Sequence, residues 1–133
     1  MILNRQRRAS VDEDDLDIFA SRLAKSLRLA PDSFSLVLVS DRRMQELNRR
    51  YRNNPRATDV LSFPAGRNGY LGDILVSVET AQRQARRYRH GLGAEIKLLF
   101  LHGLLHLLGY DHETDQGQMV RREHALRRRL KLE

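Results

Sequence analysis

The residues of this chain best suited to chemistry are three histidines. His102 and His106 lie four apart, so on a helix they share one face. The stretch from Leu98 to Leu108 is otherwise apolar apart from Gly103, which predicts a buried helix. Imidazole nitrogens there need partners, because an unpaired buried polar group costs roughly 1–3 kcal/mol. A zinc ion would satisfy both rings. His112 lies ten residues beyond His102, and at about 100° per residue a continuous helix would turn it away from that face. The chain must therefore break. Gly109 follows the last apolar residue and can take a positive φ as a helix stop, letting Tyr110 and Asp111 swing His112 back. Three neutral imidazoles leave the fourth zinc position open, and a water there has a pKa near 7. That is the chemistry of hydrolysis at neutral pH. His102, His106 and His112 are the expected ligands of about one zinc ion per chain.

The spacing His-x-x-x-His-x-x-Gly-x-x-His is that of the metzincin peptidases, His-Glu-x-x-His-x-x-Gly-x-x-His. Gly103 stands where those enzymes carry their Glu general base, so the metal cage is expected without the peptidase's proton acceptor. Two satisfied core histidines plus an unrelated third is the plainer alternative. The glycine break and the third histidine weigh against it. His90 and His124 have basic neighbours and read as partly solvated histidines on helices.

The elements that must position these residues follow from periodicity. Ile2-Leu3 could start a short strand. Ser10, followed by Asp12 and Glu13, suits the start of a helix carrying Leu16, Phe19, Ala20, Leu23 and Leu27, with Pro31 ending that region. Phe34 to Val39 reads as a strand. Asp41 can cap a helix bearing Met44, Leu47, Asn48 and Tyr51. Val60 to Phe63 and Ile74 to Val78 are strand candidates, with Asn53-Asn54-Pro55 and Pro64 to Gly69 as loops. Residues 79–90 form a helix with an arginine face of Arg83, Arg86, Arg87 and Arg89. Residues 94–108 form the buried helix, and a last basic helix covers roughly 116–131. This order predicts an α+β fold: a small mixed β-sheet packed with helices, and a central buried helix carrying the first two metal-ligand histidines.

The chain has 133 residues, which suits one domain, 1–133. It lacks cysteine, so disulfide partners and thiolate metal sites are excluded, and a reducing cytoplasm is compatible with that. The first residues, MILNRQRRASVDEDD, hold no apolar segment of the secretory kind, and no stretch reaches the about 20 apolar residues of a membrane span. Lys and Arg number 24 against 17 Asp and Glu, a net charge of +7. Five of the acids cluster at Asp12, Glu13, Asp14, Asp15 and Asp17, so residues after 17 carry +9. A basic body suggests a polyanion partner, nucleic acid first. Only three of the 24 cations are lysine, and arginine richness can also reflect genome composition.

At this point the chain resembles the YbeY family, bacterial single-strand-specific endoribonucleases implicated in ribosomal RNA maturation and ribosome quality control. The block from His102 to His112, HGLLHLLGYDH, closely matches the family signature. Leu47-Asn48 with Tyr51-Arg52, then Thr58 to Pro64, then Leu71 to Ile74, fall in the family's order. Ala57 departs from the family's usual proline before Thr-Asp. The resemblance implies an α+β fold, zinc held by His102, His106 and His112, and a functional arginine at Arg52. A guanidinium fork there matches a phosphate and could steady charge on phosphorus; the alternative is an ordinary solvated arginine at a helix end. Single-stranded RNA, ribosomal RNA and ribosome-associated proteins are the implied partners, with no membrane. Asp59 and Ser62 are either supports of the site or strand-end residues, and Asp111 either orients a ligand or shapes the turn. Two other functions stay open: a metzincin-like metallopeptidase, and a non-catalytic RNA- or ribosome-binding protein with structural zinc. Gly103 and the basic charge argue against the first, and the open coordination position against the second, which a fourth ligand at Asp111 or His124 would revive.

Overall fold

The computed structural model describes residues 1–52, 58–67, 69–111 and 114–132, apart from the side chains of Arg52 and Arg67. Along the chain run β1 (Ile2–Asn4), α1 (Glu13–Ser26), β2 (Phe34–Val39), α2 (Asp41–Arg52), β3 (Val60–Arg67), β4 (Tyr70–Ser77), α3 (Val78–Arg87), α4 (Leu92–Leu107) and α5 (Gln118–Arg129). The strands form a sheet in the order β1-β2-β4-β3. β1, β2 and β4 are parallel, and β3 runs antiparallel to β4 at the edge. This is the mixed sheet with helices that the α+β expectation required.

Period-two alternation divides the sheet residues between two cores. Phe34, Leu36 and Leu38 of β2 and Ile74 and Val76 of β4 join the larger core with α1, α4 and α5. Val39, Leu61 and Leu75 join a smaller core with Met44 and Leu47 of α2. The apolar helix α4 sits at the centre. It packs on β3, β4, α1, α3 and α5, which explains why it is apolar nearly all round. Its Phe100 ring meets Phe19 of α1 at 6.0 Å and Phe34 of β2 at 5.7 Å between centroids. Lys97 on α4 reaches Asp15 of α1 at 2.8 Å.

Several element ends differ from the sequence expectations. The cap of α1 is Asp12, whose carboxylate accepts the N–H of Asp15, and not Ser10. Its end is set before Pro31. Arg28 takes φ 57°, and the N–H of Leu29 donates to Ala24 O at 2.8 Å. That is the bond pattern of a Schellman closure. α2 is capped by Ser40, whose hydroxyl accepts the N–H of Arg43. Asp41, expected as that cap, instead takes hydrogen bonds from Ser77, Thr80 and Arg83, joining α2 to the start of α3. The loop expected over Pro64 to Gly69 is mostly strand: β3 continues to Arg67 and β4 begins at Tyr70. Pro64 is tolerated because β3 lies at the sheet edge, where a missing N–H need not cost a ladder bond.

Gly103 is where α4 comes closest to the sheet. A Cβ there would lie 2.6 Å from Ile74 Cγ2, 3.0 Å from Ser62 Oγ and 3.1 Å from Val60 Cγ2. Ser62 Oγ uses this approach to donate to Gly103 O at 2.8 Å. Gly103→Ala is therefore expected to cost about 1–3 kcal/mol by overpacking. A chemical-denaturation curve checks this, and unchanged stability would contradict the packing argument.

The Asp41 hub gives a pH-dependent expectation. Burial raises the Asp41 carboxyl's pKa, but hydrogen bonds from Ser77, Thr80 and Arg83, with the Arg83 charge, outweigh that and hold it below the usual 3.8. A carboxyl depressed in the fold adds stability that is complete above its unfolded value and is lost as pH falls through the folded one. Asp41→Asn should lower stability at neutral pH, by about 1–2 kcal/mol. Wild type and variant should converge as pH falls below 3.8, which melting temperatures across pH would test.

Candidate functional site

His102 and His106 lie on the last turns of α4, and the i, i+4 spacing brings their rings edge to face at 4.7 Å between centroids. Their Nε2 atoms are 3.2 Å apart. Both side chains are partly buried. Immediately beyond them the helix stops as the sequence predicts. Gly109 takes φ 99°, its N–H donates to His106 O at 3.0 Å, and the N–H of Tyr110 donates to Leu105 O at 3.1 Å. Those two bonds make a Schellman closure, and Tyr110 packs its ring against the larger core, as the residue after such a glycine commonly does.

A residue that the sequence reading missed completes the local arrangement. Glu123 of α5 lies with Oε1 3.1 Å from His102 Nδ1, its side chain 25% exposed and the histidine's 32%. The hydrogen bond with His102 lowers the Glu123 pKa most, burial opposes it, and the His102, Arg127 and His124 charges lower it further. An Nδ1–H donated to the Glu123 carboxylate would leave the lone pair of a neutral imidazole on Nε2. This is the tautomer a metal ligand needs, and a carboxylate behind a ligand histidine is the usual support for one. A faint signal for Glu123 was available: it is an acid inside an arginine-rich helix, next to Met119 and Leu126 on the buried side.

The donor set fits a metal as far as it is described. Two nitrogens each about 2.0–2.1 Å from a tetrahedral zinc ion would stand roughly 3.3 Å apart, close to the 3.2 Å between these Nε2 atoms. No group of three or more His, Asp or Glu able to hold a metal occurs among the described residues. His112, the expected third ligand, lies outside the described residues. A cleft of about 240 Å³ opens beside His102, bordered by Asp59, Val60, Glu123 and Arg127.

The other candidate residues separate clearly. Ser62 ties β3 to the α4 backbone through Gly103 O. Asp59 borders the His102 cleft while its carboxylate accepts from Gln84 Nε2 at 3.3 Å, linking the chain just before β3 to α3. The Asp111 carbonyl accepts the N–H groups of Thr114 and Asp115, so its backbone shapes the turn toward α5. Arg52 ends α2, and its side chain lies outside the described residues. His124 is exposed on α5, as expected. His90 is not on a helix: it follows α3, and its Nε2 lies 2.5 Å from the carboxylate of Glu95, which is 5% exposed. The buried acid needed a partner, which no periodicity argument about His90 alone could supply. Arg83, Arg86, Arg87 and Arg89 are exposed, Arg83 paired with Asp41.

Comparison with known proteins places these features in a family. The family model described as endoribonuclease YbeY matches residues 1–131. The endoribonuclease YbeY of Nautilia profundicola is 48% identical over 106 residues, covering 78% of this chain and 76% of that protein. That of Koribacter versatilis is 43% identical over 132 residues, covering 99% and 86%. A solution structure of a Thermotoga maritima protein, 27% identical, matches the fold with a TM-score of 0.69 over 98% of this chain and 89% of its own. The chain belongs to the YbeY family of endoribonucleases, hydrolases that act on RNA.

Proposed function

We propose that this chain is a zinc-dependent, single-strand-specific endoribonuclease acting in ribosomal RNA maturation and ribosome quality control in the cytoplasm. Residues 1–133 act as one domain, and His102, His106 and His112 hold the zinc. Arg52 steadies the transferring phosphate. The observation that carries the reading is the convergence of the His102 and His106 Nε2 atoms at 3.2 Å, with His102 Nδ1 at Glu123. When bound, the metal would polarise a phosphoryl oxygen and acidify a water for hydrolysis.

The chain's own residues divide the remaining work. Glu123 holds the His102 ring in one orientation and one tautomer. The Gly109 closure ends α4 one turn after His106. The net charge of +7 favours a polyanionic substrate and ribosomal partners over a neutral peptide. Gly103 also argues against the peptidase reading. At its tight approach to Ile74, a glutamate at this position would meet the sheet, so the peptidase's base has no room there.

Purified protein should carry about one zinc per chain by elemental analysis. His106→Ala should lose both zinc and cleavage of a single-stranded RNA. Full zinc retention by His112→Ala would overturn the three-histidine site. Glu123→Gln should stay folded yet bind zinc about 10- to 100-fold more weakly, read by competition with a chromogenic chelator. Unchanged affinity would reduce Glu123 to a packing residue.

Arg52 is separable from the metal. Arg52→Ala should keep its zinc and melting temperature but lose most cleavage, because a phosphate clamp matters most as charge builds in the transition state. Arg52→Lys should recover only part, since lysine lacks the bidentate fork. Wild-type cleavage by zinc-replete Arg52→Ala would return Arg52 to the surface and turn attention to Arg83, Arg86 and Arg87.

A further inference from the structure

The helices cover the two faces of the sheet unequally. One face lies under α1 and α4, where Leu36, Leu38, Ile74 and Val76 are fully buried. On the other face α2 packs with Met44 and Leu47. This single helix covers the face only in part. Leu3, Val37 and Phe63 stay only partly buried there. An open groove of about 760 Å³ runs over this strip, with Arg5, Val37, Arg43, Tyr51, Phe63 and Asp73 among its lining residues. Tyr51 is 60% exposed and stands edge-on to Phe63, with centroids 5.5 Å apart.

We propose that this groove docks single-stranded RNA, with bases stacking on Tyr51 and Phe63 and phosphates held by Arg5 and Arg43. The proposal rests on the endoribonuclease reading and locates a path for its substrate. Charge favours RNA as the occupant. α2 carries five arginines against Asp41 and Glu46, and an adjoining cleft of about 320 Å³ is lined by Arg43, Arg49 and Arg50 with Glu46, which pairs with Arg43 at 3.1 Å and leaves the other guanidinium N–H groups to a phosphate. Exposed aromatic faces flanked by cations are what a single strand needs, because every base has a face to stack while phosphates follow the charge. A duplex hides those faces. The acid in the groove, Asp73, is held by the Tyr70 hydroxyl at 2.5 Å, which also lies 2.8 Å from Ser35 Oγ. It leaves an acceptor beside the bases and is outnumbered by the arginines around it.

Strand alternation joins the groove to the histidines. Phe63 and Ser62 are neighbours on edge strand β3 and point to opposite faces. Phe63 lines the groove, while Ser62 touches Gly103, next to His102 on α4. Tyr51 directly precedes Arg52 at the end of α2. A strand leaving the aromatic pair and crossing the β3 edge therefore moves from the groove toward the histidine turn.

The test uses the full chain and a fluorescent single-stranded RNA of about 12 nucleotides, 2′-O-methylated against cleavage, with binding read by anisotropy. Tyr51→Ala should weaken binding about 5- to 100-fold, and Tyr51→Trp should restore it. The double variant Arg5→Gln with Arg43→Gln should flatten the slope of log affinity against log salt by about 1.4. Melting temperatures should match wild type in every variant, because these side chains contact solvent. Wild-type affinity and slope in these variants would overturn the groove as the RNA path while leaving the endoribonuclease reading intact. Equal weakening toward duplex RNA would overturn stacking as the mode of binding. A wild-type chain that binds no single strand would overturn the endoribonuclease reading and the groove with it.

Discussion

The close approach of α4 to the β3–β4 hairpin at Gly103 sets the positions of much else in the molecule. With no side chain at 103, the helix backbone settles until Ser62 Oγ can donate to Gly103 O at 2.8 Å. That bond fixes the helix against the edge strand at one point and one height. His102 is the preceding residue, so its ring is aimed by the same contact. His106 follows one turn later on the same face. The wider packing then has little freedom. A helix held this near a sheet and flanked by α1, α3 and α5 must be apolar on nearly every side, as α4 is.

The ends of the helices show a second constraint. α1, α3, α4 and α5 all close with paired backbone bonds of the Schellman kind, and each needs one residue at positive φ. In three of them that residue is basic: Arg28, Arg89 and Lys131, each near φ 57–58°. A side chain in that conformation costs roughly 1–2 kcal/mol, which the recovered carbonyl bonds and the favourable charge at a helix C-terminus offset. Only α4 uses glycine. Its stop comes one turn beyond the histidine pair, where the following chain must turn sharply, and Gly109 lets it do so without strain.

This contrast explains what could be read from the amino acids. The strand Phe34–Val39, the apolar helix and its glycine stop were legible because alternation, all-round apolarity and Gly109 are local signals. The stop of α1 at Arg28 was not, because arginine carries no stop signal and Pro31 stood nearby as a false one. Asp41 looked like a helix cap by position, but Ser77, Thr80 and Arg83, distant in sequence, compete for its carboxylate. The histidine pair was legible from spacing alone. Glu123 was not, since only the packing of α5 on α4 brings it to His102 Nδ1. His90 is partly solvated as expected, but its bond to Glu95 at the start of the next helix was hidden for the same reason.

Position 103 also explains how one histidine spacing can serve unrelated chemistries. The separation of His102 and His106, with a glycine three residues later, follows from helix periodicity and from the need to stop a helix quickly. Any fold placing two nitrogens on one face and then turning back arrives at that spacing. The residue after the first histidine is not constrained by periodicity. It is constrained by what the helix lies against. Where a helix stands off its sheet, a carboxylate can project there and take protons. Here the helix lies against Ile74 and Val60, so only hydrogen fits. Proton handling must then come from groups outside α4's buried face, and a basic surface with a stacking groove suits a nucleic acid better than a peptide. The shared spacing thus reflects helix geometry, and the packing at a single glycine separates the functions.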